Sequence, residues 1–264
     1  MKTKRLLITG AAGGLGRAVR EGLAGYAETL RLSDIAELGL AAPGEEIVRC
    51  DLADREAADA LVAGCDAILH LGGISVEATF DSLLQANILG TYNLYDAARR
   101  HGVRRILFAS SNHATGFHRS DEQLDETSPR RPDSLYGVSK CFGEDLARLY
   151  FDKFGIETVP VRIGSCFAEP TDRRMLATWL SPRDFVSLCR AVFDAAETGY
   201  LMLYAASANR DQWWSNAHAA QLGWKPVDSS EPYRAAIEAS VMTEEEAHAL
   251  HFQGGYHAAS RSVG

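Results

Sequence analysis

At 264 residues and 28.7 kDa, with 46% hydrophobic and 23% charged residues, the chain has the composition of an ordinary globular protein and room for one large domain or two small ones, which excludes disorder over most of its length. Its 27 basic against 35 acidic residues leave a net charge of −8 with no basic run, a poor match to nucleic acid or an anionic membrane surface. Five cysteines without a CxxC pair, no secretory leader, and no apolar stretch near the ~18 residues of a membrane span predict free thiols in a soluble cytoplasmic protein.

Short apolar runs alternate with longer amphipathic ones. Leu6–Ile8, Thr29–Leu32, Ile47–Val48, Ala67–Leu69, Ile106–Phe108 and Val159–Ile163 read as strands, and Leu15–Leu23, Arg55–Val62, Phe80–Arg100 and Tyr136–Phe154 as helices. Strands separated by helices predict βαβ units, hence an α/β fold: a Rossmann-type doubly wound parallel sheet covered on both faces. Pro160 weakens the sixth strand or places it near an edge. Past Gly164 the alternation fades into a loop carrying Glu169, Pro170, Thr171 and Asp172, a helix over Pro182–Ala195 and a strand over Tyr200–Tyr204. Trp213, Trp214 and Trp224 read as core aromatics of a small C-terminal cap, one of which could line the pocket. The economical organisation is one domain, 1–264, with residues 165–264 contributing a substrate-binding cap.

The first strand runs into Thr9-Gly10-Ala11-Ala12-Gly13-Gly14-Leu15-Gly16 and then a helix. Glycines at 10, 13 and 16 permit a tight turn, close approach to a pyrophosphate and close helix–strand packing, while the helix N-terminus offers N–H groups to the phosphates. Gly10, Gly13, Gly14, Leu15 and Gly16 are therefore candidate cofactor contacts, and the strand–loop–helix context is what gives the motif weight. Asp34 ends the second strand eighteen residues beyond Gly16, placed to accept hydrogen bonds from an adenosine ribose. Ile35 follows rather than Arg or Lys, which favours NAD over NADP; a loop acid capping a helix is the plainer reading of Asp34. Asp51-Leu52 and Leu71-Gly72-Gly73 close the third and fourth strands, where adenine and the dinucleotide backbone would lie.

Tyr136 and Lys140, four apart at the start of a helix, share one face. A free phenol with pKa about 10 is only about 0.1% ionised at neutral pH, and about 3–4 kcal/mol of support from the ammonium and an oxidised nicotinamide would make Tyr136 a usable general base. Taken alone, such a pair is as common on helix surfaces as in active sites. Ser110-Ser111-Asn112-His113 closes the fifth strand; Ser111 could hydrogen-bond a reacting oxygen, or the segment could be a polar loop making local turns.

The order Gly10-x-x-Gly13-x-x-Gly16, Ser111, Tyr136-x-x-x-Lys140 resembles the extended short-chain dehydrogenase/reductase superfamily, sugar epimerase-like branch, and more narrowly the uronate dehydrogenases. The narrower resemblance rests on His70–Val76, Ser110–His113, Leu135–Glu144, Arg162–Cys166, Arg174-Met175-Leu176 and Phe252–Gly255, spread over nearly the whole chain. Where the broader superfamily often has a tyrosine before the glycine that follows the serine motif, Thr115 stands here. The resemblance implies oxidation of the C1 hemiacetal of galacturonate or glucuronate to an aldarolactone with NAD. Tyr136 would take the C1 hydroxyl proton with help from Ser111, Lys140 would bind the cofactor ribose, and Cys166 would lie against the nicotinamide side rather than act as a nucleophile. Ser75, Ser111, Asn112, His113, Tyr136 and Ser165 would hold the sugar. In a net-negative protein a uronate carboxylate needs a local cation, and Arg174 matches the family position, whereas Arg173 does not and reads as solvated.

Eight histidines raise the question of a metal, but His248, His251 and His257 lack ligand spacing and read as surface or packing residues; no metal is expected. Glu244-Glu245-Glu246 reads as the first turn of a solvated helix. The alternatives are a sugar-nucleotide epimerase or dehydratase of the same superfamily, disfavoured by the short segment left after the sixth strand, and a non-catalytic NAD-sensing protein. A small uronic acid is the expected partner, with no nucleic acid or membrane, and the exposed helices of such sheets predict a homo-oligomer.

Overall fold

The computed structural model describes residues 3–261. From the N-terminus come β1 (Arg5–Thr9), α1 (Gly14–Gly22), β2 (Thr29–Asp34), β3 (Glu45–Arg49), α2 (Arg55–Val62) and β4 (Ala67–His70). Next are α3 (Phe80–Leu83), α4 (Gly90–Arg100), β5 (Arg105–Ser111), α5 (Leu135–Phe154), β6 (Glu157–Ile163) and β7 (Ser165–Cys166). The chain continues through α6 (Met175–Thr178), β8 (Trp179–Leu180), α7 (Pro182–Asp194), β9 (Leu203–Ala205), α8 (Arg234–Ala239), α9 (Glu244–Ala249) and α10 (Tyr256–Ala259).

Seven strands pair in parallel in the order β3-β2-β1-β4-β5-β6-β9, the doubly wound sheet expected, and β7 pairs with β8 beside it. The period-two alternation of strands explains why both faces are covered. Leu6 and Ile8 of β1 join Val19 of α1 and Phe185, Leu188 and Val192 of α7 on one side. Leu7, between them, joins Leu61 of α2, Leu94 of α4 and Ala147 of α5 on the other. Chain order reverses between β1 and β4, and at such a switch point the loops leaving the two strands part to open a crevice at the carboxyl edge.

Helix ends follow their capping residues. Asp54 accepts from the backbone N–H of Glu56 and Ala57 to start α2, Ser134 accepts from Gly137 to start α5, and Ser181 accepts from Asp184 to start α7. Thr243 caps α9, whose first turn holds Glu244, Glu245 and Glu246 as expected. The helix expected over Phe80–Arg100 forms, but with a π-helical stretch at Leu84–Leu89 between α3 and α4. Pro160 lies opposite Phe108 in β6, next to the edge, in the gap between the Thr158–Tyr200 bridge and the pairing with β9 that begins at Val161, where its missing N–H is tolerated. The strand expected over Tyr200–Tyr204 shortens to β9, with Tyr200 making an isolated bridge to Thr158.

Beneath the carboxyl end of β5, Glu144 of α5 is fully buried and accepts from Ser110 Oγ at 2.6 Å and from both Arg162 Nε and Nη2 at 2.8 Å. Burial raises the carboxyl pKa, yet the Arg162 guanidinium outweighs it and holds Glu144 below the usual range. The tryptophans are not at the crevice. Trp214 stacks on Tyr204 at 5.2 Å and donates to Gln253 Oε1, while Trp224 donates to Ser187 on α7. No helix among the described residues is long and apolar enough to cross a membrane.

Candidate active site

A crevice of about 890 Å³ opens along the carboxyl ends of β1, β2, β4, β5 and β6. Every residue expected at the site lines it: Gly10, Gly13, Gly14, Leu15, Gly16, Asp34, Ile35, Asp51, Leu52, Leu71, Gly72, Gly73, Ser75, Ser111, Asn112, His113, Tyr136, Lys140, Ser165, Cys166 and Arg174.

At one end the glycine loop turns back on β4. Gly10 has φ +69°, and a Cβ there would stand 2.7 Å from the backbone of Leu71 and Gly72. The N-cap of α1, Gly13, supplies no side chain, and the first turn carries no acid, so the helix N–H groups have no partner of their own for their positive end. Asp34 Oδ2 accepts from Ala12 N at 3.0 Å and Oδ1 from Ala36 N at 3.0 Å, fixing the loop while leaving carboxylate lone pairs toward the crevice. Asp34 caps no helix, contrary to the plainer reading: both N–H groups it binds belong to loops.

Two clamps set the next loop, and neither was expected from the sequence. His70 bridges Thr9 Oγ1 (2.8 Å) and Thr91 Oγ1 (3.2 Å), and Thr9 Oγ1 also accepts from Gly72 N. Burial, with Lys140 nearby, lowers the His70 pKa to about 3, so this imidazole is neutral. Asn87, in the π-helical stretch, accepts from Ile74 N and donates to Ile74 O and Ser139 Oγ, tying the segment before Ser75 to α5.

The start of α5 is pressed onto the end of β5 because Gly137 has no side chain; a Cβ there would overlap the His113 carbonyl. Glu77 accepts from Leu135 N and Tyr136 N, an acid at the positive end of the helix. Tyr136 is 5% and Lys140 6% exposed, and Lys140 Nζ sits 5.6 Å from the Tyr136 ring centroid while donating to Ala109 O at 2.8 Å. Of the two supports expected for a phenolate, the ammonium and the nicotinamide, the chain alone offers only the first. Burial pushes the Tyr136 phenol up to about 12, Asp133 adding to the rise and the hydrogen bond with Ser111 opposing it. Burial also lowers Lys140 to about 8. The same desolvation that disfavours a phenolate disfavours the ammonium, so the polypeptide by itself does not make the tyrosine acidic.

At the other end, Arg174 precedes α6 and reaches the crevice. Its Nε donates to Gln253 O at 2.7 Å, its Nη1 to Ser165 Oγ at 3.0 Å, and its Nη2 to the Asn112 carboxamide oxygen, whose nitrogen donates to Ile163 O. All three acceptors are neutral, and no carboxylate among the described residues lies within 4.0 Å of it. Burial lowers the Arg174 pKa from its ordinary value, opposed by Asp172 and Asp133. Arg173, expected to be solvated, instead donates to Ile237 O, Glu238 O and Ser240 O at the carboxyl end of α8.

Between the two ends, His113 Nδ1 donates to Asp133 Oδ2 at 2.8 Å. Asp133 Oδ1 accepts from Ser134, the cap of α5. Cys166 is held up at about 12 by burial, so its thiol stays protonated, in line with a wall rather than a nucleophile. His257, read from sequence as a packing residue, also lines the crevice, together with Ile163, Phe167 and Met175. Its place, like those of Asp133 and Gln253, depends on tertiary packing that leaves no local motif.

The model of the NAD dependent epimerase/dehydratase family matches residues 6–182. The chain is 58% identical over 253 residues to a uronate dehydrogenase of Agrobacterium fabrum (strain C58), with 96% of each chain covered. It is 55% identical over 252 residues to a uronate dehydrogenase of Pseudomonas putida (strain KT2440), covering 95% of this chain and 94% of the relative. A solved Y136A mutant uronate dehydrogenase from Agrobacterium tumefaciens, complexed with NAD, superposes with a TM-score of 0.94 at 56% identity, with 97% of each chain covered.

Proposed function

This chain belongs to the NAD dependent epimerase/dehydratase family and, within it, to the uronate dehydrogenases, and from that premise we propose that it oxidises the C1 hemiacetal of D-galacturonate and D-glucuronate to the aldarolactone with NAD. The observation that carries the substrate class is Arg174: a guanidinium at the crevice wall surrounded by neutral acceptors calls for an anion, and a carboxylate fits its planar fork.

The residues present suit NAD. The uncapped, acid-free N-terminus of α1 suits a pyrophosphate, Asp34 an adenosine ribose, Asp51 and Leu52 the adenine, and Leu71, Gly72, Gly73 and Cys166 the rest of the dinucleotide. The chemistry a bound NAD would supply is that of a hydride acceptor carrying a positive charge. Tyr136 takes the proton of the C1 hydroxyl, and Ser111, hydrogen-bonded to the phenol, steadies the same oxygen. Lys140, with a pKa of about 8, remains mostly charged at neutral pH and holds the cofactor ribose next to Tyr136. Arg174 fixes the sugar by its acid group, and Ser75, Asn112, His113 and Ser165 hold its hydroxyls and ring end, so C1 is presented in one orientation. Segment 165–261 serves as the substrate-binding cap of a single domain.

The epimerase and sensor alternatives find no support among relatives at 55–58% identity, which are named as dehydrogenases. The same reading places the enzyme in the cytoplasm, which suits five free cysteines, and has two copies pairing through helix faces that leave Tyr92, Val138 and Leu149 exposed. The test is Tyr136→Phe supplied with galacturonate and NAD. We expect NADH formation to fall by about 100-fold or more with NAD still bound. An undiminished rate, or a wild type inert toward every uronate, would overturn the proposal.

A further inference from the structure

The tail of the chain folds back onto the substrate end of the crevice. Gln253 is fully buried; its side-chain nitrogen donates to Arg119 O and Glu122 O, and its backbone carbonyl accepts from Arg174 Nε. Gly255 has φ +61°, and a Cβ there would stand 2.8 Å from Arg174 Cδ, so the backbone lies against the arginine and then enters α10. Two residues on, His257 is brought to the crevice wall, its ring 4.3 Å from that of His113, which itself lies 5.7 Å from the Tyr136 ring. Its Nδ1 is buried and has no hydrogen-bond partner among the described residues. A buried polar atom left this way costs free energy, and turning the imidazole about Cβ–Cγ exchanges Nδ1 with Cδ2, so that a ligand in the crevice this residue lines supplies the partner.

Resting on the uronate reading above, we propose that His257 is a further substrate-contacting and specificity-determining residue, its Nδ1 hydrogen-bonding a ring hydroxyl of the sugar held between Arg174 and Tyr136. Arg174 anchors the acid group and Tyr136 the C1 hydroxyl; two anchors leave the ring free to rock about the line joining them, and a third contact from the side removes that freedom. Burial, the adjacent His113 and Arg174 lower the His257 pKa, whereas Asp133 and Glu77 raise it. The net lowering keeps the imidazole neutral, as suits contact with a hydroxyl rather than with the carboxylate.

The experiment compares His257→Ala with His257→Asn, whose amide nitrogen stands where Nδ1 does. Initial rates are measured against galacturonate and, separately, against NAD. His257→Ala should raise the KM for galacturonate about fivefold to tenfold, the worth of one neutral hydrogen bond, with kcat and the KM for NAD within twofold. His257→Asn should return the galacturonate KM to within about threefold of wild type. An unchanged KM in His257→Ala overturns the inference while leaving uronate oxidation standing. So does an equal rise in both variants, a parallel rise in the KM for NAD, or failure of both to fold, since each marks a packing role. A wild type that oxidises no uronate brings down the underlying reading and this contact with it.

Discussion

Replacing Arg174 by Met keeps most of the side-chain length and removes the charge. Within the chain the change takes a donor from three buried acceptors, Gln253 O, Ser165 Oγ and Asn112 Oδ1, at about 1–3 kcal/mol for each that water does not reach, but it orphans no buried carboxylate. Toward the substrate the cost is large. Truncating one partner of a buried, hydrogen-bonded charge pair costs about 2–5 kcal/mol. At about 1.4 kcal/mol per factor of ten, kcat/KM for galacturonate falls roughly 30-fold to a few thousandfold. The loss should sit mainly in KM, because the carboxylate is remote from C1 and is held alike before and during the reaction. Following NADH appearance over a wide range of galacturonate at saturating NAD separates the two constants. A variant with wild-type KM for galacturonate would refute the reasoning, as would one whose KM for NAD rose by the same factor.

Three further outcomes follow from the buried groups. Glu144→Gln leaves the Arg162 guanidinium in a fully buried site without its counter-charge; a loss of about 3–5 kcal/mol, or roughly 6–20 °C in the calorimetric midpoint, is expected, and a shift under 2 °C would discount the network. His70 has a folded pKa of about 3, well below that of an unfolded histidine, so the unfolded chain binds the extra proton between those values. Stability therefore falls as pH drops below about 6.5, by roughly 1.4 kcal/mol per pH unit. Urea melts at pH 7 and 4.5 should show His70→Gln losing about 2–3 kcal/mol less than wild type, and parallel losses would contradict this. Lys140 is also lowered, to about 8, so its burial penalty is present below that pH and relieved as pH rises toward 10. Lys140→Met should abolish that alkaline gain in urea melts of the cofactor-free chain.

Much of the fold is written locally in the sequence. The run Leu6-Leu7-Ile8 followed by Gly10, Gly13 and Gly16 needs only strand periodicity and φ > 0 at Gly10 to imply the first βαβ unit, and Asp34, Ser111, Tyr136 and Lys140 then fall at strand ends or on one helix face. What was not legible depends on residues distant in the chain. His257 and Gln253 meet Arg174 only after the cap folds, and Asp133 finds His113 across a loop. The π-helical stretch at Leu84–Leu89 has ordinary helical periodicity; only the clamp of Asn87 on Ile74 shows its use. The surroundings of the Tyr136 phenol are not legible for the same reason: a spacing of four reports that Lys140 is near, not that both groups are buried.

The bond between Arg174 and Gln253 joins residues 79 apart in the chain. At about 5–20 residues per second on the ribosome, Gln253 emerges roughly 4–16 s after Arg174. By then the strands and loops up to β6, with the whole dinucleotide-facing wall, have been synthesised. A nascent chain could thus engage nucleotide well before it can discriminate an acid sugar, and any defect that delays the tail would yield molecules that load cofactor yet stay blind to substrate.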